Sequence, residues 1–594
     1  MQRFLIHIAL VASGTALVGP VAGEASTDIS QATLDALDPT RPGRLACRGF
    51  FGSAAALERR LALAQDYATR LGAPGGPIRL FDHIGKNQLP ATGLSADARR
   101  YFDQGVALVY GFNHKAAIRS FAQAAERDPN CAMCWWGIAL ANGPNINAGM
   151  DDVANRAALE ALSKASAMGG SLSPLERDLI AAQKLRYSAS SEAERAALDA
   201  QYADAMMALA KANPGNDDLQ ILAAEAAMNT RPWDYWTEDK QPKPRIGEAV
   251  GLIETVIARN PRHPQASHLY IHLMENGPQP RQAEAAADEL ARSGPASLGH
   301  LVHMPAHIYY RIGRYADSMT ANIAAARADE EYLAIAGDDG LYRYGYYPHN
   351  VHFLLTSAQM IGNMHAVASE TERLKQILDE DIAKELPWVQ AIHAAPAFAL
   401  AQYASPQAIL ALTDKPTELA YVDAMRHYAR AVAQALAGNR TGFDDEIAAL
   451  KAAGQSKSVA DLAAQGFPAG DLINLALHVA QGRWELANGK PAAAVAHFEA
   501  AEEIEATIPY NEPPYWYYPV AQSRGAALYA AGDYAKATAA FRKALFLAPN
   551  NGWALYGLSR SEAKAGHRLE AEVAKKKLGE VWQGETAWLD MSRI

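Results

Sequence analysis

Cysteine is nearly absent from this chain, with 3 in 594 residues, so no disulfide framework holds it together. Cys131 and Cys134 form a CxxC whose next residue is Trp135 rather than His, which excludes covalent c-type haem attachment. No thioredoxin-like βαβ pattern surrounds the pair, so in an oxidising compartment a structural disulfide is expected ahead of redox exchange. Positive charge is also short: Asp and Glu number 65 against 55 Lys and Arg, a net −10, and no basic block offers a footprint for nucleic acid. Beyond the N-terminus no apolar run approaches the ~20 residues of a membrane span. Strand-like alternation is rare. HExxH, the zinc-peptidase signature, does not occur.

What the chain does have is apolar material, 49 % of its residues, over a length two to four times that of an ordinary domain. It is therefore multidomain or a repeat array. Its first residues carry one early cation, Arg3, then an apolar run to about Val18 and small residues through Gly23 before the chain turns polar at Glu24. That layout is a cleaved secretory signal over 1–23, with cleavage at Gly23–Glu24 and Ala25–Ser26 as the alternative. The expected product is exported, periplasmic or secreted, with no membrane attachment after cleavage. Residues 24–92 read as an N-terminal extension.

Ala-rich segments with apolar residues at i, i+3 and i+4 then run to the C-terminus, broken about every fifteen residues by Gly, Pro or Asn. Counted from Ala98, Gly105 is position 8, Ala117 position 20, Phe121 position 24, Ala124 position 27 and Pro129 position 32. Counted from Tyr518, the same positions hold Gly525, Ala537, Phe541, Ala544 and Pro549; from Leu475, Gly482, Ala494, Phe498 and Ala501 follow suit. Small residues at 8 and 20 let two helices of a hairpin approach, the residue at 24 fills the gap, and Pro ends the second helix. These residues resemble the tetratricopeptide (TPR) consensus. The resemblance implies an all-α helical-hairpin solenoid whose first helices line a concave groove. Boundaries follow at 93–230 (N-terminal repeats), 231–380 (central His-rich repeats) and 381–594 (C-terminal repeats). Asp151–Asn229 fits the consensus poorly but is helical, with a capping box and N1 proline at Ser173-Pro174-Leu175-Glu176. The span Tyr101–Asn147, with the Cys131–Trp136 string, resembles a family of exported bacterial TPR proteins with His-rich central repeats. That likeness implies no particular activity.

Of 17 His, seven fall between His268 and His352. In a repeat starting at Pro264, His268 is position 5 and His272 position 9. A start at Gly299 places His300, His303 and His307 at 2, 5 and 9; a start at Pro348 places His349 at 2 and His352 at 5. At about 100° per residue these positions share one side of the first helix, opposite the face that packs into the hairpin. His268–His272 and His303–His307 are i, i+4 pairs, the spacing by which a helix offers two nitrogens to one ion, and Glu275 follows one turn later. A single groove-lining His reads as a hydrogen-bonding residue. Seven at three positions read as ligands for one or two transition-metal ions, copper, iron or zinc. The expected centre is His268, His272, His303 and His307, with His300, His349, His352 and Glu275 as further ligands or supports. His263, His365, His393 and His427 fall outside the pattern.

Trp233–Trp236, Tyr342–Tyr347 and Tyr510–Tyr518 are aromatic segments at repeat edges, placed to roof a groove or to pack between repeats. Glu225 and Asn229 form a polar pair in an apolar helix, as a groove lining or as caps to the following turn. An open His-rich site suits metal-dependent oxidation or hydrolysis of a small-molecule or peptide ligand. The competing expectation is a non-catalytic scaffold that binds a peptide or partner protein in the groove, the His supplying hydrogen bonds and pH sensitivity.

Overall fold

A computed structural model describes residues 78–168, 172–190, 194–336, 340–412 and 416–594, together with Ser30, Thr33 and Leu37. The signal segment 1–23 and most of the 24–92 extension lie outside the described residues. Among those described, helix follows helix from Ala96 to Val581 and the only β-type pairings are the isolated bridges Asn145–Ala148 and Trp236–Pro242. None of these helices is long and apolar enough to cross a membrane. The expected all-α solenoid of helical hairpins is what the chain forms.

The consensus positions explain the packing. Phe121, fully buried, lies between Gly105 of its own hairpin and Gly137 of the next, and a Cβ on either glycine would stand 2.5 Å from its ring. Phe498 presses on Gly482 in the same way, and Phe541 on both Gly525 and Gly557. Glycine is required here for its missing side chain rather than for a special backbone angle. One ring thus locks three helices, which is why a hairpin is stable only when stacked. Ser173 and Glu176 form the expected capping box. Cys131 and Cys134 are joined as a disulfide at the start of helix Ala132–Asn142.

The site is built from α1 (Ala96–Tyr110), α2 (His114–Arg127), α3 (Pro264–Glu275), α4 (Gly299–His303), α5 (Pro305–Arg311), α6 (Tyr315–Ala336) and α7 (Tyr347–Met360). Pro305 lacks an N–H and interrupts the ladder between α4 and α5, yet Met304 stays in the right-handed helical region (φ −49°, ψ −40°). The i, i+4 relation of His303 to His307 therefore survives the break. Tyr342–Tyr346, expected as an aromatic loop, is a π-helical turn running directly into α7. Gly313 ends α5 and Gly362 ends α7 with left-handed backbones, φ +77° and +73°.

The solenoid winds tightly enough for distant repeats to touch. Asn550 Nδ2 donates to Gly313 O at 3.0 Å, Trp553 Nε1 to Gln359 O at 2.8 Å, and Gln583 N to Ile361 O at 2.8 Å. Thr33 Oγ1 donates to Glu562 at 3.1 Å, holding part of the N-terminal segment against a C-terminal repeat.

Candidate metal centre

Six of the predicted His assemble into two groups, His268/His272/His300 and His303/His307/His349, each offering ring nitrogens within 4.8 Å of one another. The grouping follows the repeat. Positions 5 and 9 of one first helix meet position 2 of the next, once across α3–α4 and again across α4/α5–α7. The expected centre of His268, His272, His303 and His307 is divided between them, two in each group. His272 and His307, from different groups, have ring centroids 5.8 Å apart, and His300 and His303 are 6.2 Å apart.

His352 belongs to neither group, contrary to expectation. It is position 5 of the third repeat, but position 9 there is Thr356, so no i, i+4 partner exists. His263, His365, His393 and His427 also stay outside both groups; His263 caps α3 and faces Asp218 at 3.2 Å.

The orientation of four of the six rings has an identifiable cause. His268 Nδ1 lies 2.8 Å from Gln265 Oε1, while Gln265 Nε2 donates to Glu225 at 3.1 Å. The amide oxygen must therefore accept, and His268 turns its Nε2 lone pair toward His300 and His272. His303 repeats the arrangement: its Nδ1 is 2.6 Å from Asn322 Oδ1, and Asn322 Nδ2 donates to Ser318 O at 2.8 Å. His272 Nδ1 and His307 Nδ1 lie 2.7 and 2.6 Å from the two oxygens of Glu275. Oxygen partners on Nδ1 that leave Nε2 for an ion are the usual surroundings of a metal-binding imidazole. Glu275, fully buried, sets its two oxygens against one imidazole of each group and so bridges them.

The inward nitrogens crowd together. His268 and His300 Nε2 are 3.1 Å apart, His303 and His349 Nε2 3.2 Å, and His303 and His307 Nε2 2.7 Å. Nitrogens about 2.0–2.1 Å from a tetrahedral ion lie ~3.3 Å from each other, so the first two spacings suit an ion and the third must widen slightly. His300 Nδ1 and His272 Nε2 are buried with no hydrogen-bond partner. Burial and the neighbouring imidazoles hold His268, His300 and His303 well below the ordinary histidine range, and burial lowers His272 despite Glu275. His307 moves up: burial opposes its charge, but Glu275, then Glu512, outweigh that. Burial likewise opposes ionisation of Glu275, yet His307 and His272 keep it below the usual carboxylate range.

Aromatic rings close the site. Phe112, at a left-handed φ of +53° between α1 and α2, packs on His268 (4.6 Å) and His300 (5.2 Å). Phe353 plays the same part for His303 (5.1 Å) and His307 (4.9 Å). All three predicted aromatic segments arrive here: Trp233 against His272 (5.1 Å), Tyr346 against His300 (4.9 Å), and Tyr510, whose hydroxyl is 3.3 Å from Glu275. Under this cover the imidazoles are buried instead of lining an open groove, and only His349 is half-buried. Glu225 supports His268 through Gln265. Gln265, Asn322, Phe112 and Phe353 were not anticipated. Gln265 stands at position 2 of its repeat, the place of His300 and His349, and that register alone could have revealed it.

The tetratricopeptide repeat model matches residues 520–551, the hairpin Ala521–Leu547 with the turn after it. The same Gly–Phe packing recurs at Gly105–Phe121 and Gly482–Phe498, so the chain carries TPR-type repeats. Solved structures similar to it include the human IFIT1 dimer with m7Gppp-AAAA (14 % identity, 92 % of this chain and 99 % of that one, TM-score 0.27). Yeast Tom70 is similar at 12 % identity over 83 % and 94 % of the two chains, TM-score 0.26. The P58(IPK) TPR domain is similar at 13 % over 79 % and 99 %, TM-score 0.20. No curated protein matches significantly.

Proposed function

We propose that this protein holds two transition-metal ions, one in each His triad, and that the pair is a site for metal-dependent oxidation or hydrolysis in an exported protein. The observation that carries the reading is the convergence of six imidazoles, five buried and one half-buried, into two groups in which the Nδ1 atoms of His268, His272, His303 and His307 lie against oxygen atoms and Nε2 is left inward. An all-imidazole set suits copper, zinc or iron. Three protein ligands leave a coordination position for water or substrate, and the dry aromatic surround strengthens any charge interaction within it. The secretory pattern at 1–23 and the Cys131–Cys134 disulfide support export to an oxidising compartment. A scaffold binding a peptide along its groove would spread polar side chains over an accessible surface, whereas these are clustered and covered.

Elemental analysis of protein purified without chelator tests the reading. Two equivalents of metal per chain are expected, His303→Ala or His307→Ala should leave one, and His268→Ala with His303→Ala should leave none. His352→Ala should leave both. Protein that retains no metal and takes up none from Cu, Zn or Fe salts would overturn the proposal.

A further inference from the structure

Ser318, Asn322 and Asp329 recur at i, i+4 and i+11 along α6, a spacing that brings all three to one face of the helix, and all three are fully buried. Polar groups are costly to bury unless they are hydrogen-bonded, and this stripe spends its bonds on the His-bearing helices. Ser318 Oγ lies 2.9 Å from Ser357 Oγ of α7, Asn322 Oδ1 lies 2.6 Å from His303 Nδ1, and Asp329 Oδ2 accepts from Asn350 Nδ2 at 2.7 Å. Asp329 is the costliest of the three to hold there. Burial pushes its carboxyl up to about 7 against the hydrogen bonds of Asn350 and Tyr342.

That carboxyl stands where two of the three His-bearing helices begin. Asn350 follows His349 in the first turn of α7. On the other side, Asp329 bonds the Tyr342 hydroxyl, which accepts from His300 N at 3.3 Å. It also lies against Gly299, the first residue of α4, where a Cβ would overlap the carboxylate. His300 and His349 are the position-2 members of the two triads. Each reaches across from the next repeat to meet the position-5 and position-9 pair of the one before, so their placement decides whether a triad closes.

We infer that Asp329 is a positioning residue for both triads, setting through Tyr342 where α4 presents His300 and through Asn350 where α7 presents His349. It acts on the backbone that carries these two histidines, a different device from the amide and carboxylate oxygens that face the other four rings. Glu275 ties the two position-9 imidazoles together, and Asp329 does the same for the two position-2 helix starts. One buried carboxyl therefore sets the closure of both triads. The inference rests on the two-ion reading and deepens it, since it names the residue on which both ions depend.

Competition with a chromophoric chelator for Zn2+ bound to the full-length protein tests it, with Cu2+ or Fe2+ as the probe ion where the wild type takes those up instead. The first triad is read in a His303→Ala background and the second in His268→Ala. Asp329→Ala should weaken both about ten-fold or more, the usual cost of removing a support behind a metal ligand. Asp329→Asn keeps the acceptor for Asn350 Nδ2 and should bring both back to within about three-fold of wild type. Tyr342→Phe should weaken the first triad alone, and Asn350→Ala the second alone, each about five-fold. General loss of stability would not produce that selectivity, and metal-free thermal midpoints identify the folded variants. Should Asp329→Ala fold poorly, the two selective variants carry the test. Wild-type affinity at both triads in folded Asp329→Ala, Asp329→Asn as weak as Asp329→Ala, or Tyr342→Phe and Asn350→Ala each weakening both triads alike would overturn this inference and leave the two-ion reading standing. A wild type that takes up none of the three ions would overturn both.

Discussion

Thr356 stands where a histidine would complete a third i, i+4 pair, and the consequence falls on His352. That imidazole is buried near the site without belonging to it, and burial pulls it from 6.5 down to about 3. The folded chain refuses a proton that the unfolded chain accepts below pH 6.5. The neutral ring therefore contributes stability that is present above pH 6.5 and lost as the pH falls toward the folded value near 3. Between pH 7.5 and 5.5 the loss amounts to about 1.3 kcal/mol. His352→Gln removes this increment, so the stability difference between wild type and variant should shift by about 1.3 kcal/mol between those two pH values. Denaturant midpoints at both pH values measure it, and an unchanged difference would show that His352 is solvated or paired in the folded state.

Among the elements, the hairpin is held by an aromatic ring seated on two glycines, and that arrangement sets what each position tolerates. Gly137→Ala gains up to about 1 kcal/mol of helix propensity, but its methyl would stand 2.5 Å from the Phe121 ring. Overpacking of this kind costs about 1–3 kcal/mol, so the variant should be destabilised on balance, and Phe121→Leu introduced beside it should recover part of the loss. Chemical denaturation of the two single variants and the double variant reads this out; additive losses would contradict it. This packing was legible in the sequence because it is local: positions 8 and 24 of one repeat recur at fixed spacing. The His register was legible for the same reason, since positions 2, 5 and 9 share a helix face. How those positions sort into two triads was not, because that depends on the offset between neighbouring first helices, which no spacing within one helix reveals. Asn322 was hidden on a second helix, Phe112 in a turn some 150 residues before His268, and the cover over the imidazoles in loops whose courses are set by tertiary contact.

At the level of the whole molecule, the two triads lie where separate stretches of the superhelix meet. The Phe112 turn of an early repeat lies against His268, three successive first helices supply the six histidines, and Tyr510 of a late loop reaches Glu275. A repeat array is ordinarily a sum of neighbour interfaces that can open piecemeal. An ion bound by two neighbouring repeats binds only the closed arrangement, so it should bind those repeats into one cooperative unit. Free metal at 100 times its dissociation constant adds about 2.7 kcal/mol per site to the closed state. Chelation should therefore lower the thermal midpoint and broaden or split the transition, and hydrogen exchange should quicken in α3, α4, α5 and α7 ahead of the Ala521–Val581 hairpins. Restoring metal should reverse both changes in wild type, while His268→Ala with His303→Ala should behave like the chelated protein at all times. Exchange that quickens uniformly along the chain on chelation would mean that the ions do not act through these repeats.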